Sequence, residues 1–456
     1  MNQLILICAP IGTRSGYGEH SRDLFHALND MGKYDIKIFD VPWGNTPRNS
    51  LDSKNEQDKK IIDCILSEPN LSRQPDIYID IRIPNEFQQH GKFNIGITAG
   101  IETNAVSGKW LECCNKMDLI IVPSEHSKKG FTNTIYDAVR NLPDGKQQKV
   151  GDLKLQKPIE VLFEGAEEND YRPLEKDEMN QEFFDKINKL IPEKFAFLFV
   201  GQWTGGGYGE DRKDIGKLIK VFYEAFANKK KQPALVLKTS GATFSILDKE
   251  EILNKIQTVK NQFPKDWNLP NVYLLHGDLT KSEMNNLYNH PKMKIMVSFT
   301  HGEGFGRPLL EASMMGLPII VSSWSGQIDF LNSEYVMLLP GKLEKVPKSA
   351  LWKDIIIPES QWFMINEQEG YKALNFAFEN YETEVKKRGK KLMRENREKF
   401  TLKKMTEKFE KIMKQYTNNL PSAVSLNLPK LKKVGDNQTK IPKIKLPKLN
   451  KITKDK

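Results

Sequence analysis

Short apolar runs alternate with longer amphipathic stretches through most of the chain. In the first part these runs end in turn residues and predict strands over residues 4–10, 35–41, 76–82, 93–100 and 118–124. Between the first two runs, residues 21–30 have the apolar spacing of a helix. This alternation of strands with helical or polar stretches predicts parallel β/α units.

Residues 157–173 are predicted to form a last strand followed by a connector, and a second series of the same kind begins after them. Its predicted strands cover residues 195–203, 234–240, 272–278, 294–300 and 317–323, and a helix is predicted at 214–230. We therefore expect an α/β protein with two facing, doubly wound Rossmann-like domains, residues 1–172 and 194–375. Ligands of such sheets bind beyond the carboxyl ends of the strands, so the predicted site is the cleft between the domains.

The C-terminal part has a different pattern. Residues 371–416 are charged and have helical spacing, and beyond them an apolar–Pro–Lys–apolar unit occurs three times. Its prolines exclude a continuous helix, and we expect residues 419–456 to form a disordered basic tail. Ten lysines and two aspartates give residues 421–456 a net charge of +8, out of +10 for the whole chain. The basic character therefore belongs to the tail, which argues against nucleic-acid binding by the folded part.

Composition narrows the class of protein further. Hydrophobic residues at 39% and charged residues at 28% fit a soluble globular protein. The sequence contains no run of 18 apolar residues, so no membrane-spanning helix is predicted. The apolar N-terminus lacks a preceding basic region and is interpreted as a strand, not a signal peptide. The spacing of the four cysteines indicates neither a disulfide framework nor a zinc site. We expect a cytoplasmic protein, with peripheral membrane contact through the tail as an open alternative.

Two segments of the first domain carry candidate site residues. The loop "APIGTRSGYGEHSRDL" joins a predicted strand to a predicted helix, and its Gly16, Tyr17 and Gly18 could bring backbone amides to a ligand. A tight turn without a ligand is the alternative. Glu102 follows the predicted strand 93–100, where it could orient a sugar hydroxyl or act as a base. Its neighbour Thr103 could instead cap a helix.

Three basic residues of the second domain form a candidate anion site. Arg212 and Lys213 follow a glycine-rich loop (residues 205–207) and precede a predicted helix whose N-terminus favours an anion. Lys238 ends the neighbouring strand and can reach the same point. Fixed positive groups of this kind suit a departing diphosphate. For Arg212 and Lys213, a solvated surface pair is the alternative.

The most specific signal is "HGEGFGRPLLEASMMGLPIIVSSWSG", which begins at His301. Glu303 lies in a loop between a predicted strand and a predicted helix, and Glu311 lies on that helix, with seven residues between them. Gly304 and Gly306 expose backbone amides around the first carboxylate. Carboxylates suit vicinal hydroxyls, which present paired donors. One acid could therefore hold sugar hydroxyls while the other holds a ribose diol.

This segment resembles the Glu-x(7)-Glu signature region of retaining glycosyltransferases of family four. The likeness extends to "SGYGEHSRDLFHAL", "LIIVPSEHSKKGF", "DRKDIGKLIKVFYEAF" and "KFTLKKMTEKFEKIM", and covers roughly residues 1–416. It implies the GT-B architecture, in which a closing helix, here at about residues 400–416, returns to the first domain. It also implies transfer of a hexose from a UDP- or GDP-sugar, without a cofactor.

The resemblance implies roles for individual residues. Glu303 would lie beside the transferred sugar as a catalytic residue, and Glu102 is the second catalytic candidate. The donor would be bound by basic side chains, loop amides and the second glutamate: Arg212, Lys213, Lys238, Gly304, Phe305, Gly306 and Glu311. The loop of Gly16, Tyr17 and Gly18 would line the cleft from the first domain.

The chain departs from the family pattern at two points. Gln202 stands where many relatives have an arginine, which gives Arg212 and Lys238 more weight as diphosphate ligands. The region of Glu102 stands where many relatives have a histidine. The sequence has no Asp-x-Asp motif, so we expect donor binding without a metal ion.

The sequence is also compatible with two other functions. A nucleotide-sugar epimerase can share the architecture, and a polyanion-binding protein could act on nucleic acid or an anionic membrane through the lysine tail. The acceptor could be a glycan, a lipid, a protein or a nucleic acid. In the loop "VPWGNTPRNS", Trp43 and Arg48 could contact it or merely cap the domain.

Overall fold

The computed structural model describes residues 2–141, 146–205, 208–241, 243–418 and 420. The basic tail predicted at 419–456 lies outside the described residues apart from residue 420. Gly206 and Gly207 of the glycine-rich loop also lie outside them.

The strands and helices follow one another in the predicted alternation. In chain order the strands are β1 (Gln3–Ala9), β2 (Tyr34–Asp40), β3 (Ile77–Ile81), β4 (Phe93–Ile97), β5 (Leu119–Val122), β6 (Tyr136–Asn141), β7 (Gln147–Leu153), β8 (Ile159–Val161), β9 (Ala196–Val200), β10 (Ala234–Lys238), β11 (Val272–Leu275), β12 (Met293–Ser298), β13 (Ile319–Ser322), β14 (Met337–Leu339), β15 (Gly341–Lys345) and β16 (Gln361–Ile365). The helices are α1 (Gly16–Asp30), α2 (Glu56–Ile62), α3 (Gly108–Cys114), α4 (Glu125–Asn133), α5 (Gln181–Leu190), α6 (Ile215–Phe226), α7 (Ile246–Lys260), α8 (Lys281–Asn289), α9 (Arg307–Met314), α10 (Glu367–Glu379), α11 (Lys386–Lys399) and α12 (Leu402–Thr417).

The first sheet has the strand order β2-β1-β3-β4-β5-β8, with parallel pairing throughout. Its central strands β1, β3, β4 and β5 are buried almost throughout, because helices cover both sides of a parallel sheet. The order reverses between β1 and β3, and this switch point is where ligands of open α/β sheets bind. The glycine loop of residues 10–18 leaves the sheet at that point.

The second sheet repeats the arrangement with the order β11-β10-β9-β12-β13-β14, again with parallel pairs. Its switch point lies between β9 and β12. The loops after these two strands carry Arg212 and Lys213, and Glu303, respectively. The topology therefore brings the two strongest sequence signals of the second half to one edge of one sheet.

The C-terminal helical stretch predicted over residues 371–416 is broken into three helices. A π turn, Tyr381–Val385, separates α10 from α11, and α12 begins after a cap at Thr401. Helix α12 packs on the first sheet, since Met405 and Phe409 are fully buried in its core. The limits predicted for the two domains stay predictions. None of the described helices combines the length and the hydropathy that are needed to cross a membrane.

Candidate active site

The loops that follow β4 and β12 are in direct backbone contact. Glycine allows this approach: a Cβ on Gly304 would overlap the carbonyl oxygen of Ala99, and a Cβ on Gly302 would overlap that of Glu102. The hydroxyl of Ser124 donates to the Gly304 carbonyl at 2.6 Å. The edges of the two sheets that carry the switch points therefore meet at this glycine contact.

Glu303 lies in this contact and is paired with Lys213. Lys213 Nζ lies 2.6 Å from Oε2 of Glu303 and donates to both carboxylate oxygens, and each side chain is only 10% exposed. Burial is the main influence on Lys213 and lowers its pKa, against the opposing effect of the Glu303 charge. The Glu303 amide donates to Ser325 Oγ at 2.9 Å, which helps to fix the loop that carries the carboxylate.

Glu102 and Arg212 form a second pair beside the first. Arg212 Nη1 lies 2.6 Å from Glu102 Oε1, and the two side chains are 26% and 27% exposed. Although burial opposes it, the charges of Glu102 and Glu303 raise the pKa of the Arg212 guanidinium. Thr103 does not cap a helix, because α3 begins later, with Ser107 as its cap. The charges of the four side chains therefore cancel in pairs.

Two buried aspartates hold the turn that presents Arg212 and Lys213. Asp211 Oδ1 accepts a hydrogen bond from the Lys213 amide at 3.1 Å. Asp214 has a left-handed backbone (φ 50°) and lies 3.0 Å from Lys217 Nζ. Burial raises the pKa of both carboxyl groups to about 6. Because the turn is fixed by its own side chains, the two cations are presented at a defined point.

The backbone after Glu303 offers hydrogen-bond donors. No described residue accepts a hydrogen bond from the amides of Gly304, Phe305 or Gly306. Gly306 has φ 103°, a conformation that favours glycine, and directly precedes α9. The ring of Phe305 packs 4.9 Å from that of Phe330 and is 2% exposed, so this residue can contact a ligand only through its backbone.

Lys238 is directed to a different partner from Arg212 and Lys213. Its Nζ donates to the carbonyl of Gly277 at 2.7 Å, and burial lowers its pKa. At the end of the neighbouring strand β9, the Lys238 carbonyl accepts from the Gly201 amide at 3.2 Å. Gln202, the next residue, is exposed.

The first glycine loop forms a tight turn at the start of α1. Ser15 caps this helix through the amide of Gly18, and a Cβ on Gly18 would overlap the carbonyl of Thr13. Gly16 is exposed, and a Cβ there would meet nothing within 4 Å. Gly18 thus shapes the turn, whereas Gly16 borders open space.

Glu311 lies on α9 in a buried cluster. The hydroxyl of Tyr288 donates to its Oε2 at 3.2 Å, and Arg307 Nε lies 3.9 Å from its Oε1. The Glu311 side chain is 12% exposed. Burial raises its pKa, against the effect of Arg307. The carboxylate predicted to hold a ribose therefore has protein partners.

Arg307 is the centre of this cluster and was not among the predicted site residues. It lies 2.7 Å from Asp23 on α1 and 3.6 Å from Glu164, which follows β8. On the same side, Lys281 lies 2.7 Å from Glu19. The only sequence signal for Arg307 is its place directly after "EGFG", since its partners lie far away along the chain.

One segment of the chain matches a family model. Residues 208–355 match the model described as glycosyl transferases group 1. This range contains Arg212, Lys213, Lys238, Glu303 and Glu311. No curated protein matches the sequence.

Several solved structures resemble the fold over nearly its whole length. A glycosyltransferase from Rickettsia africae ESF-5 has a TM-score of 0.60 at 14% identity, covering 92% of this chain and 99% of that one. Sucrose-phosphate synthase from Thermosynechococcus elongatus has a TM-score of 0.59 at 13% identity, covering 91% and 99%. An α,α-trehalose-phosphate synthase (UDP-forming) from Burkholderia xenovorans, in complex with glucose-6-phosphate, has a TM-score of 0.56 at 10% identity, covering 90% and 100%. At these identities the likeness shows the fold, which is the predicted GT-B arrangement of two Rossmann-like parallel-sheet domains.

Proposed function

We propose that this protein is a retaining glycosyltransferase of family four, which transfers a hexosyl group from a UDP- or GDP-sugar to an acceptor hydroxyl. The observation that carries the proposal is the pairing of Lys213 with Glu303 where the two sheets meet. A cation suited to a diphosphate and a carboxylate suited to a sugar lie within one hydrogen bond of each other. Both residues fall in the range that matches the glycosyl transferases group 1 model.

A departing nucleoside diphosphate needs positive charge where its oxygens become negative. Lys213 and Arg212 supply two fixed cations, and the amides of Gly304 and Gly306 supply neutral donors. Carboxylates neutralise both cations in the structure, so a bound diphosphate would replace those carboxylates as the counter-ion. Glu303, released from Lys213, would then accept hydrogen bonds from the hydroxyls of the hexosyl group.

Glu311 is proposed to hold the donor ribose, and Tyr288 and Arg307 would orient its carboxylate. We propose that basic side chains, not a divalent metal ion, balance the charge of the diphosphate. No cofactor is needed for this chemistry, because the bond to the leaving diphosphate is already activated in the donor.

Nucleotide binding in EDTA tests this proposal directly. We expect UDP or GDP to bind the full chain in isothermal titration without added metal. Lys213→Met should weaken binding about ten- to a hundredfold, because a hydrogen bond to a charged group contributes about 1.5–3 kcal/mol. Lys249→Met removes an exposed lysine of α7 and is the matched control. Binding that requires Mg²⁺ or Mn²⁺ would contradict the metal-independent proposal, and binding of neither nucleotide would contradict the donor class.

Product analysis tests the reaction itself. With the matching nucleotide sugar, NMR of the product should show the anomeric configuration of the donor. Epimerised nucleotide sugar formed without any acceptor would instead identify a nucleotide-sugar epimerase.

A further inference from the structure

We infer that the Tyr17–Trp43 ring pair, with the Arg48–Asp40 ion pair beside it, is a binding platform for the acceptor, and that the acceptor it takes is an uncharged saccharide. The inference rests on the proposed function and adds the substrate class. It concerns the loop after β2, residues 41–50, which the donor chemistry does not use.

The two rings link this loop to the candidate active site. The Tyr17 and Trp43 ring centroids lie 4.2 Å apart at an interplanar angle of 30°. The Tyr17 hydroxyl accepts from the Ala99 amide at 3.0 Å, and the Ala99 carbonyl lies against Gly304, the neighbour of Glu303. Trp43 is therefore linked to the loop that carries Glu303 through the Tyr17 ring and the loop after β4.

The platform is held rigidly, as a recognition surface requires. The Pro47 carbonyl accepts from the Arg14 amide at 3.0 Å, and Ser50 Oγ accepts from Arg22 at 2.8 Å. Trp43 is half-buried, and the exposed Gly16 next to Tyr17 borders open space. Several hydrogen bonds thus fix this loop, while its tryptophan remains partly accessible.

Charge decides between acceptor classes. The three arginines of this neighbourhood each face a carboxylate: Arg14 with Asp278 at 2.8 Å, Arg22 with Glu19 at 2.5 Å and Arg48 with Asp40 at 2.6 Å. An anionic acceptor, such as a hexose phosphate, would have to compete with a carboxylate for each of these guanidinium groups. An uncharged acceptor would face no such competition.

An aromatic ring with polar side chains beside it is suited to binding a sugar ring. An aromatic face packs on the apolar C–H face of a pyranose, and a few fixed polar groups then select its hydroxyls. The Arg48–Asp40 pair lies a few residues from Trp43 on each side and offers both donors and acceptors, with Arg48 48% exposed. A flat lipid surface or a nucleic-acid backbone would instead call for unpaired cations.

Saturation-transfer NMR on the full chain with UDP and GDP present tests the inference. The probes are the methyl α-pyranosides of glucose, galactose and mannose, with glucose 6-phosphate as the charged comparison. At least one neutral glycoside should receive saturation on its ring C–H protons. Trp43→Ala should reduce this signal at least threefold, and Trp43→Phe should restore part of it. The control is Trp352→Ala, because Trp352 is 65% exposed and lies outside this loop.

Three results would overturn the inference: unchanged signals in Trp43→Ala, stronger transfer to glucose 6-phosphate than to the neutral glycosides, or no transfer to any glycoside. Separate isothermal titration of the nucleotide-free protein with UDP and GDP distinguishes this test from that of the proposed function. Nucleotide binding without glycoside binding would contradict only the inferred saccharide platform. Glycoside binding without nucleotide binding would contradict the proposed nucleotide-sugar donor.

Discussion

At the residue scale, the candidate site consists of charges whose partners lie far away in the sequence. Local motifs predict Lys213 and Glu303 separately, one before a helix and the other in a glycine loop. Their pairing could not be predicted, because it depends on β9 and β12 being neighbours at the switch point of the sheet. The same holds for Arg307, whose partner Asp23 lies on a helix of the other half.

The pair of Glu102 and Arg212 gives a prediction that separates two roles for Glu102. Glu102→Gln is expected to tighten nucleoside diphosphate binding, because it removes the carboxylate charge that competes with the diphosphate for Arg212. Since the side chains are about a quarter exposed, the pair contributes on the order of 1 kcal/mol, which corresponds to several-fold in Kd.

Isothermal titration with UDP and GDP measures this change in affinity. Glu112→Gln, which removes a surface charge from α3, is the matched control. Unchanged affinity with a loss of turnover would show that Glu102 acts on the sugar and not as a counter-ion of Arg212.

At the element scale, the β/α series is predictable because each central strand is a compact apolar run. Strands β1 to β5 and β9 to β13 all overlap predicted runs. The antiparallel hairpin of β6 and β7 gives no such signal, because β7 is exposed along almost its whole length and has no apolar face. The breaks between α10, α11 and α12 are hidden for a different reason: charged residues continue across them with helical spacing.

The glycine contact between the two halves yields a prediction for the loop after β12. Gly304→Ala should destabilise the protein by about 1–3 kcal/mol, because the new Cβ overlaps backbone and not a movable side chain. Nucleotide affinity should change less than turnover, since the clash lies on the side of the first sheet.

Thermal unfolding and isothermal titration measure the two effects of Gly304→Ala. Gly151→Ala is the control, because a Cβ there meets nothing within 4 Å. A Gly304→Ala protein with wild-type stability and turnover would show that the two loops can separate without cost.

At the scale of the whole molecule, ionic contacts join the two halves beside the candidate site. Arg307 reaches Asp23, Lys281 reaches Glu19 and Arg14 reaches Asp278. The two Rossmann-like domains can be predicted from the repeated β/α pattern, but these contacts cannot, because they depend on how the two sheets face each other. The cluster around Arg307 also contains more carboxyl groups than cations, so its protonation affects the stability of the whole chain.

Glu164 is the member of this cluster with the clearest consequence for stability. Burial raises its pKa to about 7 from an ordinary value of 4.5, with Arg307 opposing the shift and Asp23 adding to it. Between these values the folded protein keeps a proton that the unfolded chain has released, so stability falls as the pH rises from 4.5 to 7. A shift of this size corresponds to about 3 kcal/mol in total.

Glu164→Gln should therefore reduce the pH dependence of the free energy of unfolding, because glutamine is neutral in both the folded and the unfolded state. Urea unfolding at pH 5 and pH 8 is the measurement. Between these pH values the wild-type protein should lose about 2–3 kcal/mol more than Glu164→Gln. Glu168→Gln makes the same change outside the cluster and should behave like the wild type. An identical pH dependence in Glu164→Gln and wild type would mean that Arg307 keeps Glu164 ionised in the folded protein, and the contact would then be a full ion pair that joins the two halves.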